Sequence, residues 1–92
     1  MVVQAFIRSG GQCECVDPSC EVGHYPFQCH ARFSFEQRTT SDLAGYQADH
    51  YLPYALGGSA TLENCRILCV PCHKSKTARQ SSILAQFSKL KR

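Results

Sequence analysis

The sequence predicts a small α+β domain: an antiparallel hairpin flanked by helices. Three observations predict it. The chain has 92 residues, enough for one domain with a limited core, and domains of this size often lean on a metal or on disulfides. Seven cysteines, an odd number, fall in two stretches, 13–29 and 65–72. Short alternating segments at 31–35 and 45–49 precede a helical periodicity that begins at Pro71. The apolar N-terminus lacks the basic start and cleavage site of a secretion signal. No apolar run approaches the roughly 20 residues of a membrane span. A reducing, cytoplasmic setting is therefore expected. Thiols stay reduced there, so the clusters read as ligands of a structural Zn2+ rather than as a disulfide framework.

The elements follow in order. Residues 1–12 form an N-terminal helix, with Val3, Phe6 and Ile7 on one face, stopped by Ser9-Gly10-Gly11. Residues 13–30 are a first cysteine cluster, broken into turns by Pro18, Gly23 and Pro26. Residues 31–80 form the core of the single domain. Within it, 31–35 reads as a half-buried strand, 36–44 as a loop and 45–49 as the partner strand. Pro53, Gly57 and Gly58 mark a second loop, and 61–64 a short structured turn. Cys65 reads as a buried free thiol, and Arg66-Ile67-Leu68 as a packing segment. A helix starts near Pro71, a residue suited to the first turn. Ser81-Ser82 is expected to split it, leaving 81–92 as a C-terminal basic helix whose Ile83, Leu84, Phe87 and Leu90 pack on the domain.

One zinc needs four ligands, and Cys69-x2-Cys72 supplies two with knuckle spacing. The other two come from the first cluster. Cys29 and Cys13 lead, with Cys15, Cys20 and His24 as alternatives. The remaining thiols and His24 either form a second zinc site or stay free. His30 reads equally well as a ligand or as an exposed side chain.

Net charge is +3, but it is polarised. All seven acids lie before residue 66, with three basic residues beside them, for −4. From Arg66 onward there are seven basic residues and no acid, for +7. A one-signed segment of this density attracts polyanions. Lys74, Lys76 and Arg79 are the candidate phosphate contacts, expected on the exposed side of the helix.

Hydrolysing a phosphodiester needs a base for water, a cation on the phosphate, and donors that hold the phosphate in line. Imidazole titrates near neutrality, so His50, at a strand end, suits the base. A carboxylate and an imidazole, Asp49 and His73, suit Mg2+ or Mn2+. His73 follows Cys72 directly, so a zinc knuckle would aim it.

The order Asp49-His50, the Pro- and Gly-containing loop, Asn64, then Cys69-x2-Cys72-His73 resembles the HNH endonucleases, a branch of the ββα-metal (His-Me finger) nucleases. The resemblance implies a zinc-stabilised ββα-metal domain that nicks DNA or cuts both strands with low sequence specificity. It implies His50 as general base, Asp49 and His73 as ligands of the catalytic cation, and Asn64 as the residue that holds the base through backbone contacts. Many such proteins carry a first C-x2-C knuckle, and this sequence has none between 13 and 30. DNA is the expected partner, with RNA as an alternative substrate, for a bacterial or phage protein working as monomer or homodimer. The competing reading is a zinc-ribbon module that binds nucleic acid without cutting it.

Overall fold

The computed structural model describes residues 1–39, 42 and 44–90. Helix α1 (Val2–Ser9) ends where Gly10 turns left-handed (φ 66°) and its N–H returns to the Ile7 carbonyl at 3.1 Å. The face it buries differs from the expected one. Ala5 is fully buried and Phe6 half-buried, while Val3 and Ile7 are exposed. The Phe6 ring packs against Phe35 and Tyr46, with centroids 5.4 and 5.2 Å apart, and Arg8 donates to Glu14 and to the Leu62 carbonyl, so Ala5, Phe6 and Arg8 anchor the helix in place of the expected stripe.

Strands β1 (Tyr46–His50) and β2 (Cys65–Cys69) pair antiparallel, with Tyr46 opposite Cys69 and His50 opposite Cys65. The sequence placed the partner of β1 at 31–35, and this is corrected. Residues 29–33 instead run along 11–15: Cys13 N–H donates to Ala31 O at 2.8 Å, Phe33 N–H to Gly11 O at 2.9 Å, and Cys29 N–H to Cys15 O at 3.0 Å. Phe33 still packs on Tyr46, at 5.0 Å between centroids, and Phe35 enters a 3-10 turn (Phe35–Gln37). Alternation decides which face of a segment is buried, not which backbone it pairs with. The real partner shows no alternation. Four of the five residues in β2 are buried, so it read as a packing run.

Residues 51–64 join the strands through two 3-10 turns, Tyr54–Leu56 and Leu62–Asn64. Helix α2 (Val70–Leu90) leaves β2 without a connecting loop, with Pro71 in its first turn. It continues unbroken through Ser81 and Ser82, where a break was expected. Ile83 is exposed, and the side chains of Leu84, Phe87 and Leu90 lie outside the described ones. No helix is long and apolar enough to cross a membrane among the described residues.

The hairpin separates two buried clusters. One side holds Ala5, Tyr46, Cys65 and Ile67. The other holds Leu68 and six cysteines. Tyr46 is central to the first: it is fully buried, and its hydroxyl donates to Phe35 O at 2.7 Å. Tyr46→Ala should cost about 3–5 kcal/mol, as for other large aromatics cut back in a core. Tyr46→Phe should cost only about 1 kcal/mol, the net value of one hydrogen bond. Denaturant midpoints of the metal-loaded protein, at unchanged slope, measure both. Equal losses for the two variants would mean that the ring is not the anchor.

Candidate active site and metal centre

Cys13, Cys29, Cys69 and Cys72 converge from four separate positions. Cys13 and Cys29 sit on the two backbones that pair at 11–15 and 29–33. Cys69 closes β2, and Cys72 lies in the first turn of α2. All four are buried, and their sulfurs lie within 4.8 Å of one another. Cys29 Sγ and Cys69 Sγ are 3.9 Å apart. A tetrahedral zinc with Zn–S bonds near 2.3 Å has S–S edges of about 3.8 Å. The Cys69 N–H donates to Cys13 Sγ at 3.2 Å, which suits a thiolate. Hydrogen bonding with Cys13 and Cys72 pulls the Cys69 thiol down, while Cys13 and Cys72 are pushed up. A cation at the centre would let the four thiols ionise together. This donor set fits a metal such as zinc. The sequence's other candidate ligands, Cys15, Cys20 and His24, gather on the far side of Cys72. His30 is exposed and belongs to neither group.

One turn into α2, His73 meets the end of β1. Its Nε2 lies 3.3 Å from Asp49 Oδ1. Lys76, three residues on and on the same helix face, donates to Asp49 Oδ2 and, at 2.8 Å, to the His50 carbonyl. Burial pushes the Asp49 carboxyl up, but hydrogen bonds from His73 and Lys76 outweigh it and hold the group below the ordinary carboxylate range. A cavity of about 330 Å³ opens beside Asp49 and Lys76. Its charged lining is mixed: Glu14, Asp17, Arg66 and Arg79 complete it.

His50 itself is half-buried, and its ring packs against Tyr54 at 4.3 Å between centroids, with the planes tilted by 47°. Neighbouring strand residues alternate sides, so Asp49 turns to α2 while His50 turns to the following loop. Asn64 braces that loop. Its Oδ1 accepts from Leu52 N–H at 2.7 Å, and its Nδ2 donates to Leu52 O at 2.9 Å and Ser59 O at 2.8 Å. Its own carbonyl accepts from Tyr51 N–H at 2.7 Å. Gly58 must be glycine here, because a Cβ would overlap the Leu52 carbonyl.

Residues 28–79, more than half of the chain, match the family described as HNH endonuclease. The chain belongs to the HNH endonuclease family. Similar proteins include the DNA annealing helicase and endonuclease ZRANB3 of Homo sapiens, 45% identical over 42 residues, and that of Mus musculus, 41% identical over 46 residues. These stretches cover 45% and 49% of this chain but 4% of each relative. The chain therefore spans a small fraction of those proteins. No solved structure matches it.

The HNH domain places its basic residues differently from the sequence expectation. Of the three candidate phosphate contacts only Lys74 is exposed. Lys76 faces the Asp49 carboxylate. Arg79 binds Asp17 Oδ2 at 2.7 Å, Ser19 O at 3.0 Å and Ser75 Oγ at 2.6 Å. The inward turn of Lys76 had a signal in the sequence, its three-residue spacing from His73. The packing of Tyr54 on His50 had none, because the path of the loop sets it.

The brace on the loop of this HNH domain is testable without any assay of activity. Asn64→Ala removes three side-chain hydrogen bonds and should cost about 1–3 kcal/mol. Amide hydrogen exchange should accelerate at Leu52 while the cysteine-rich half stays protected. Unchanged exchange at Leu52 would show that the loop holds its shape without Asn64.

Proposed function

We propose that this HNH domain is a divalent-metal-dependent endonuclease acting on DNA. The observation that carries the reading is the convergence of Asp49 and His73 beside the strand end that bears His50. Two donors of one octahedral ion, each near 2.1 Å from it, are about 3 Å apart, close to the 3.3 Å found here. A mixed oxygen and imidazole set suits Mg2+ or Mn2+. A cation bound there supplies charge neutralisation at the phosphate and at the leaving oxygen.

The chain's own residues do the rest. His50 takes the proton from the attacking water on a ring nitrogen. Tyr54 packs against the imidazole and limits its rotation, and Asn64 holds the loop that carries Tyr54. Asp49 stays ionised because His73 and Lys76 donate to it, so its oxygens are ready for a cation. Lys76 is then free to turn from Asp49 to the substrate phosphate. Lys74, exposed on the same helix, contacts a flanking phosphate. DNA is favoured over RNA because both similar proteins carry the name DNA annealing helicase and endonuclease.

Nicking of supercoiled plasmid, followed against Mn2+ concentration, tests the roles. His50→Ala should lower the rate by about 10²–10⁴-fold with no rescue by metal. Asp49→Ala and His73→Ala should lose activity and regain part of it at high Mn2+. Asn64→Ala should be milder than any of these. Full activity in all four variants would leave a zinc-ribbon module that binds without cutting as the better account.

The salt dependence of DNA binding tests the phosphate contact. Lys74→Ala should reduce the slope of log affinity against log salt by about one. An unchanged slope would place the DNA away from the start of α2.

A further inference from the structure

Six of the seven cysteines fall into two groups that share one member. The first is the four-sulfur set described above. In the second, the ligand atoms of Cys15, Cys20, His24 and Cys72 also lie within 4.8 Å of one another. Cys72 belongs to both. We propose that the domain holds two zinc ions, with the Cys72 thiolate bridging them.

Three observations carry this. The first is distance. His24 Nε2 lies 3.6 Å from Cys72 Sγ, and a tetrahedral zinc with ordinary Zn–N and Zn–S bonds has an N–S edge of about 3.6 Å. The second is the tautomer of His24. Its Nδ1 faces the Phe27 carbonyl at 2.8 Å, and a carbonyl can only accept. Nδ1 therefore carries the proton, and Nε2 presents its lone pair to the cysteine group. A ligand histidine is usually oriented by such a bond from its other nitrogen.

The third is the coordination count. Two four-coordinate ions need eight bonds. The two groups together offer seven ligands, and one shared thiolate closes the difference. Only Cys65 is left over, buried in the other cluster of the core. The bridging position is also favourable for charge. Six thiolates leave a net negative cluster around two Zn2+. Cys72 sits in the first turn of a 21-residue helix, where the backbone dipole favours negative charge. The second ion would fasten the 15–24 loop to α2. Polar contacts already follow the same line: Glu21 N–H donates to Ser75 Oγ at 3.0 Å, and Arg79 reaches Ser19 O and Asp17.

Each thiol releases its proton to solvent as its ion binds. Native mass spectrometry of the purified chain should count two zinc ions. Cys20→Ser and His24→Ala should each lower the count to one with the fold retained, since the four-sulfur site is intact. Reconstitution of the unmodified chain with 113Cd reads the bridge even if a variant fails to fold. Two cadmium resonances are expected, one from a four-sulfur site and one from a three-sulfur, one-nitrogen site. Both should correlate with the Cys72 β-protons. A single zinc per chain overturns the proposal, and so do two resonances that share no cysteine.

Discussion

Everything in this domain hangs on the point where four sulfurs meet. The paired backbones at 11–15 and 29–33 bring Cys13 and Cys29 together, and the junction of β2 with α2 brings Cys69 and Cys72. Neither half has a large apolar core. The other cluster is built from Ala5, Tyr46, Cys65 and Ile67, with partly buried aromatics around them. A core that small is marginal alone. Bound metal in the cysteine cluster would supply the missing cohesion, because its binding free energy becomes folding free energy. It would also set the angle at which α2 leaves the sheet. His73 follows Cys72 directly, so the position of its imidazole is inherited from the sulfur cluster.

The candidate active site adds a second constraint, an electrostatic one. Asp49 is largely buried, with 15% of its side chain exposed, and a buried carboxylate without partners would become neutral. His73 and Lys76 prevent this from one face of one helix. The carboxylate is kept charged by these two groups. The half-buried Lys76 ammonium is matched in turn by Asp49 and by the His50 carbonyl. The site is therefore poised by ionic partners from two elements, and the sulfur cluster determines how those elements meet.

The loop between the strands has a different logic. It contributes little apolar burial and is shaped by hydrogen bonds. Asn64 occupies both backbone groups of Leu52 and one of Ser59, and Gly58 allows the chain to pass close to the Leu52 carbonyl. This rigidity puts Tyr54 against His50. It is a local device, largely independent of the cysteine-rich half.

Much of the chemistry was legible in the residues themselves. The α+β class, the order Asp49, His50, Asn64, His73, and the pairing of Cys69-x2-Cys72 with cysteines of the first cluster all follow from residue type and spacing. Ligand chemistry is carried by side-chain identity, and short spacings on one helix leave little geometric freedom. What lay beyond the sequence was long-range backbone pairing. The pattern at 31–35 pointed to an apolar face, but Phe33 packs on Tyr46 without strand pairing and Phe35 stays exposed. Only the fold decided that β1 pairs with 65–69 and that 29–33 lies along 11–15. The same holds for Arg79 and Tyr54. Their charge or ring is written in the sequence, but Ser19 and Asp17 lie 60 and 62 positions from Arg79 and Tyr54 reaches His50 across a turn of the loop, where chain connectivity sets no distance. The assignment of Cys72 to two ligand groups at once is of this kind too. A sequence lists seven cysteines, and only three-dimensional packing sorts six of them into two groups that share Cys72.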